Sequence, residues 1–101
     1  TQRSADVLLG VPFNMVGASV FMTLMAAKAG LQLGELVWSG GDVHLYSNHV
    51  EQARTQISRT PGEWPMLVYT GGDQAWDAIG VEDFELQGYN PQDAIPAPVA
   101  V

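Results

Sequence analysis

The strongest constraint on this chain is an apolar run, Met15 to Ala27, 13 residues long and carrying no charge. Pro12 stands just before it, where its fixed φ suits a first helical turn. Lys28 closes it, where a cation favours the helix dipole, and Gly30 supplies a C′ stop. A helix apolar on nearly every face belongs in the centre of a fold rather than on its surface. The run is shorter than the ~20 residues of a membrane span. It also lacks the charged flank and cleavage pattern of a signal peptide. The expected architecture is built around this one helix.

Strand patterns flank it. Ser4 to Leu9 reads as a strand closed by Gly10, and Glu35 to Trp38 as a second. After a bend at Ser39-Gly40-Gly41-Asp42, Val43 to Tyr46 alternates with period two, so Asp42, His44 and Tyr46 share one face. Asn48 followed by Glu51 predicts an N-cap and a helix to about Arg59, with Val50, Ala53 and Ile57 at core spacing. Met66 to Tyr69 and Phe84 to Gln87 are further strands, with a turn at 70–73 and a short helix over 73–79. The segment 91–101 holds three prolines and no period, which predicts an extended tail lying against the protein or a ligand. The class is α/β, in the mixed α+β sense, and 101 residues suit one domain.

Charge narrows the partners. The formal net charge is −7, and Arg3, Lys28, Arg54 and Arg59 are the whole set of Lys and Arg. From Thr60 onward there are acids and no such cation, so an anion site must lie in the first half. An acidic chain of this kind is not expected to bind nucleic acid. No cysteine is present, which excludes disulfides, zinc fingers, iron–sulfur centres and a thiol nucleophile within these residues. His44 and His49 have no Cys or acidic partner at zinc spacing, so no metal is expected.

Taken singly, the polar candidates stay open. Arg3 beside Ser4 is either a phosphate fork or a solvated surface arginine. His44 and Tyr46 either meet hydroxyls such as those of a sugar or hydrogen-bond for structure. Asn14, an amide at the head of an apolar helix, is a cap, a network member or a ligand reader. Asp6 interrupts an apolar strand, which requires pairing or a function. No G-x-S-x-G, P-loop or dinucleotide fingerprint occurs.

The order of the motifs is more specific than any one of them. Gln2-Arg3-Ser4-x-Asp6-Val7, Leu9-Gly10-x-Pro12-Phe13-Asn14 and Gly40-Gly41-Asp42-x-His44-x-Tyr46-x-Asn48-His49 resemble the C-terminal part of the thymidylate synthase family. Gln56-x-x-Arg59, Glu82-Asp83-Phe84, Gly88-Tyr89-x-Pro91 and Ala97-Pro98-Val99-Ala100-Val101 continue the resemblance to the end. It implies a mixed β-sheet packed with a long central buried helix, in a cytoplasmic homodimer. The implied activity is methylation of dUMP to dTMP, with 5,10-methylenetetrahydrofolate as co-substrate leaving as dihydrofolate.

By resemblance, Arg3 and Ser4 bind the phosphate, and Arg3 also lies near the nucleophile. His44 and Tyr46 take the deoxyribose 3′-hydroxyl, and Asn14 reads the pyrimidine edge. Asp6 contacts the folate ring, Leu9 and Gly10 line the folate and nucleotide pocket, and Ala100 and Val101 belong to a closing tail over 91–101. Arg3, Asp6 and Asn14 are the implied catalytic contributors. Asn14 can accept from uracil N3–H and donate to O4, a pattern that cytosine reverses.

Three departures stand out. The family's Pro-Cys-His segment lies upstream of Gln2 and is not in these residues; Ala5 replaces a non-catalytic Cys. Val16-Gly17-Ala18 stands where the family usually has Ala-Ser-Tyr. The chain opens on Thr1 rather than Met, as a processed or truncated piece does. dUMP hydroxymethylation and a non-catalytic nucleotide-binding remnant are the alternatives.

Overall fold

The computed structural model describes residues 1–99. Strand β1, Gln2–Asp6, is followed by helix α1, Val11–Ala29, and then by strand β2, Gly40–His44, which pairs in parallel with β1. Parallel neighbours need a long crossover, and α1 lies in that connection. The register sets Gln2 against Gly40, Ser4 against Asp42, Ala5 against Val43 and Asp6 against His44. Helix α2, Val50–Ser58, follows a single 3₁₀ turn at Ser47–His49. Strands β3, Met66–Tyr69, and β4, Phe84–Gln87, form an antiparallel pair with Tyr69 opposite Phe84. The mixed α/β class holds, carried by two two-stranded sheets.

Two compact units divide these elements. The first holds Thr1–Val16, Val37–Gly62 and the described part of Pro91–Val101; the second holds Gly17–Leu36 and Glu63–Asn90.

In the first unit, β1 stops at Asp6 instead of running to Leu9. Asp6 Oδ1 accepts from the backbone N–H of Leu8 (3.1 Å) and Leu9 (3.4 Å), and its carbonyl accepts from Gly10 N–H (3.1 Å). A carboxylate that binds its own following backbone replaces the ladder with a turn. The expected strand Glu35 to Trp38 is absent, and β2 begins at the glycine pair. Glycine allows this because a Cβ on Gly41 would lie 2.8 Å from Arg3 O. Asn48 does not cap α2: it sits inside the 3₁₀ turn, and His49 takes the N-cap position with no side-chain cap bond. Ile57 is 82% exposed, so the expected core stripe of α2 is not a core. The segment 91–99 has no regular structure and lies against the protein, as expected.

In the second unit, α1 ends in a Schellman motif. Gly30 takes φ +65°, Leu31 N–H donates to Ala26 O (2.8 Å) and Gly30 N–H to Ala27 O (3.3 Å). Lys28 Nζ donates to the carbonyls of Gly72 (3.1 Å) and Gln74 and stands over the Tyr69 and Trp76 rings. The short helix expected over 73–79 is reduced to a 3₁₀ turn at Trp76–Ala78. The Asp83 carboxylate instead accepts from the Gln74 side chain and from Gly80 N–H (2.8 Å).

The expectation of a buried central helix needs correction. No residue of α1 is buried, and Phe13 (78%) and Phe21 (65%) stand open. Among the described residues, Ala5 and His49 are the buried ones. The physical reason is supply: the other elements are short and do not cover an apolar surface that runs right round a helix. At 19 residues, α1 is also longer than the apolar run. By length and composition it could cross a bilayer, a test that core helices of soluble proteins also pass.

Candidate functional site

The site is built on the β1–β2 pair and the turn that opens α1. Strand alternation puts Gln2, Ser4 and Asp6 on one face of β1 and Arg3 and Ala5 on the other. Arg3 is exposed, and its guanidinium has no hydrogen bond or ion pair with the described residues. Ser4 is half-buried, and its carbonyl accepts from Gln2 Nε2 (2.8 Å).

Gln2 is the hub of a three-residue relay. Trp38 Nε1 donates to Gln2 Oε1 (3.1 Å), and Gln2 Nε2 donates to Asn14 Oδ1 (3.0 Å). An indole N–H can only donate and the Ser4 carbonyl can only accept, so the Gln2 amide has one satisfactory orientation. That in turn turns Asn14 Oδ1 toward Gln2. The Asn14 amide is left with both Nδ2 hydrogens and a second lone pair on Oδ1 for another partner. Such a group can pair with an edge that offers an adjacent N–H and C=O.

Asp6 holds the turn with Oδ1, as described, which leaves Oδ2 outside that bonding. Gly10 lets the helix start close to it: a Cβ there would lie 3.0 Å from Asp6 O and 3.7 Å from Asn14 Oδ1. Leu9 is half-buried in the same turn.

Across the sheet, His44 pairs in register with Asp6. Its Nδ1 lies 3.2 Å from the Asp42 carbonyl and 3.5 Å from Asp42 Oδ1. With the Nδ1 hydrogen directed at that carbonyl, Nε2 of the neutral ring is left as an acceptor. Tyr46, 43% exposed, packs edge-on to His44 at 5.1 Å between ring centroids and to His49 at 5.9 Å. The Tyr46 hydroxyl makes no hydrogen bond among the described residues. His44 and Tyr46 thus offer an acceptor nitrogen and a hydroxyl, a set that suits a ligand hydroxyl.

Arg3, Ser4, Asp6, Leu9, Gly10, Asn14, His44 and Tyr46 all belong to the first unit. Direct contacts join Asn14 to Gln2, Gly10 to Asp6, and His44 to Tyr46; Arg3 is not drawn to any of them by a hydrogen bond or ion pair. Ala100 and Val101 lie outside the described residues. Residue-level reasoning gave Gln2, Trp38 and His49 no role beyond motif membership, a strand position and a rejected metal ligand. The signal for Gln2 and His49 was their place inside the motifs; nothing local marked Trp38.

The thymidylate synthase family model matches residues 1–101. The thymidylate synthase of Cereibacter sphaeroides (strain ATCC 17025 / ATH 2.4.3) is 52% identical over 100 residues, covering 99% of this chain and 34% of that protein. The thymidylate synthase of Zymomonas mobilis subsp. mobilis (strain ATCC 31821 / ZM4 / CP4) is 48% identical with the same coverage. The chain therefore spans about a third of the length of these curated relatives.

Proposed function

The chain belongs to the thymidylate synthase family, and on that premise we propose that it supplies nucleotide and folate contacts to an enzyme converting dUMP to dTMP. In the proposed reaction the uracil ring gains a methyl group. Its carbon and a hydride both come from 5,10-methylenetetrahydrofolate, which leaves as dihydrofolate. No metal enters the proposal. The 101 residues contain no cysteine, so the attacking thiolate is assigned to residues outside this stretch.

The observation that carries the reading is the orientation of Asn14. With Oδ1 facing Gln2 and Nδ2 free, the amide accepts from uracil N3–H through its second lone pair and donates to O4. Addition at C6 pushes negative charge onto O4, so that donor acts where charge develops. Arg3 takes the phosphate, supported by a guanidinium with no ion pair among the described residues; Ser4, on the opposite face of β1, is assigned to it by the family resemblance alone. His44 and Tyr46 take the sugar hydroxyl. Asp6, Leu9 and Gly10 are assigned to the folate side, and the tail that includes Ala100 and Val101 to closing the site. A cytoplasmic homodimer, as the family resemblance implies, completes the proposal.

Calorimetric titration of the native-length protein with dUMP and dCMP tests the base and phosphate roles. We expect dUMP to bind more tightly by about tenfold or more, corresponding to the 1–3 kcal/mol cost of leaving buried polar groups unpaired. Arg3→Ala should weaken dUMP binding; unchanged affinity would remove Arg3 from the phosphate site. Mass analysis of the product separates a methyl from a hydroxymethyl group.

A further inference from the structure

His49 is fully buried, and nothing in the proposed chemistry uses it. Its Nε2 lies 2.6 Å from the Pro98 carbonyl oxygen. A carbonyl only accepts, so Nε2 carries the hydrogen. In the neutral ring Nδ1 is then bare, and it is buried without a partner. A buried imidazole with one short bond and one orphaned nitrogen is held mainly by that bond and by packing. The packing partner is Tyr46, which stands edge-on between His49 (5.9 Å) and His44 (5.1 Å). Three rings in series therefore run from the end of β2 to the tail.

The tail has other ties, and they differ in kind. Arg59 Nη1 donates to Asp93 O (2.7 Å), Gln92 Nε2 to Thr60 O (2.8 Å) and Gln52 Nε2 to Pro96 O (3.5 Å). All three are exposed and compete with water. The His49 bond is part-buried, its imidazole fully so, and a bond with less access to water is the stronger.

We propose that His49 is a positioning residue that ties the 91–99 segment, through Pro98, to the His44–Tyr46 wall. The proposal rests on the reading of that wall as the sugar site. A hydroxyl bound to Tyr46 restrains the ring on which His49 leans, and so orders Pro98. By linkage, a tail held at Pro98 steadies Tyr46 in return.

The test is nitrogen-15 NMR on the native-length protein, with and without dUMP. Wild type should show His49 as the Nε2–H tautomer, with ring resonances that move on adding dUMP. The Val99 amide shares its peptide unit with the Pro98 carbonyl. Its order parameter should fall from near 0.85 to below about 0.6 in His49→Leu. His49→Gln can place an N–H at the Nε2 position and should restore the order. His49→Asn ends at the Nδ1 position and should not; it stands in for His49→Leu if that variant fails to fold. dUMP affinity should fall by no more than about threefold in the variants, since the direct nucleotide contacts are kept and only the steadying of Tyr46 by the tail is lost.

Three results overturn the proposal: a Val99 amide equally ordered in wild type and His49→Asn, His49→Gln as loose as His49→Asn, or His49 resonances unmoved by bound dUMP. A wild type that does not bind dUMP overturns the nucleotide reading instead, and with it the coupling to the wall. The tie to Pro98 then stands or falls on the nucleotide-free variants.

Discussion

At the scale of single residues, the proposed choice of base rests on the polarity of the Asn14 amide, which Trp38 and the Ser4 carbonyl set through Gln2. Trp38 can only donate, so removing its N–H leaves the Ser4 carbonyl as the one group that fixes the Gln2 amide, and a flipped amide would present Oε1 to Asn14 at the cost of that bond. Asn14 would then turn Nδ2 toward Gln2 and present an acceptor to the pyrimidine. Trp38→Phe keeps the ring packing and removes that donor. We expect it to narrow the preference for dUMP over dCMP about three- to tenfold, the equivalent of one net hydrogen bond of 0.5–1.5 kcal/mol. Paired titrations of the two nucleotides check this, and an unchanged ratio would remove Trp38 from base selection. Asn14, His44 and Tyr46 could be picked out from residue type and spacing. The relay could not, because its members lie 12 and 36 positions apart and meet only through the β1–β2 pair and the helix start. The same holds for His49, whose partner is 49 positions away.

Elements show where local pattern suffices and where tertiary approach overrides it. Strands β3 and β4 match their expected bounds, and α1 ends at the expected glycine, because alternation, helical period and a positive φ are local properties. Strand β2 does not match. Gly40 and Gly41 look like a bend in the sequence, yet they pair with β1 because a glycine backbone can approach Arg3 O where a Cβ would stand at 2.8 Å. Strand β1 ends early because the Asp6 side chain captures the following N–H groups. Gly41→Ala should therefore force β1 and β2 apart and lower stability by about 1–3 kcal/mol, the range for overpacking. Gly30→Ala places a Cβ in the left-handed region and should lower stability by about 1 kcal/mol. Urea midpoints on the native-length protein separate the two: Gly41→Ala should also weaken dUMP binding, and Gly30→Ala should not. Equal effects on binding would detach the β1–β2 approach from the site.

At the scale of the whole chain, hydrophobic content and burial disagree. The sequence is 47% hydrophobic, yet α1 has no buried residue and Phe13, Val16 and Phe21 each stay at least 60% exposed. Helix period alone identifies such a surface as something to be covered; it does not say by what, which is why a buried helix was the natural expectation. Open apolar area of this kind favours association at about 25 cal/mol per Å² covered. Residues 1–101 expressed alone should therefore show concentration-dependent species by sedimentation velocity, and Phe13→Ser with Phe21→Ser should shift the distribution toward monomer. A monomer at all concentrations would mean that this surface finds cover within the chain. The same isolated chain should convert no dUMP to dTMP, whatever its association state. Addition at C6 needs a thiolate, no cysteine is present, and the Asn14 donor can stabilise charge on O4 only once something has attacked. Nucleotide binding and methyl transfer should therefore separate: dUMP binding that survives in the isolated chain, with no product formed, assigns recognition to these residues and attack to others. Product from the isolated chain would overturn the thiolate mechanism for this protein, because none of its 101 residues carries a thiol.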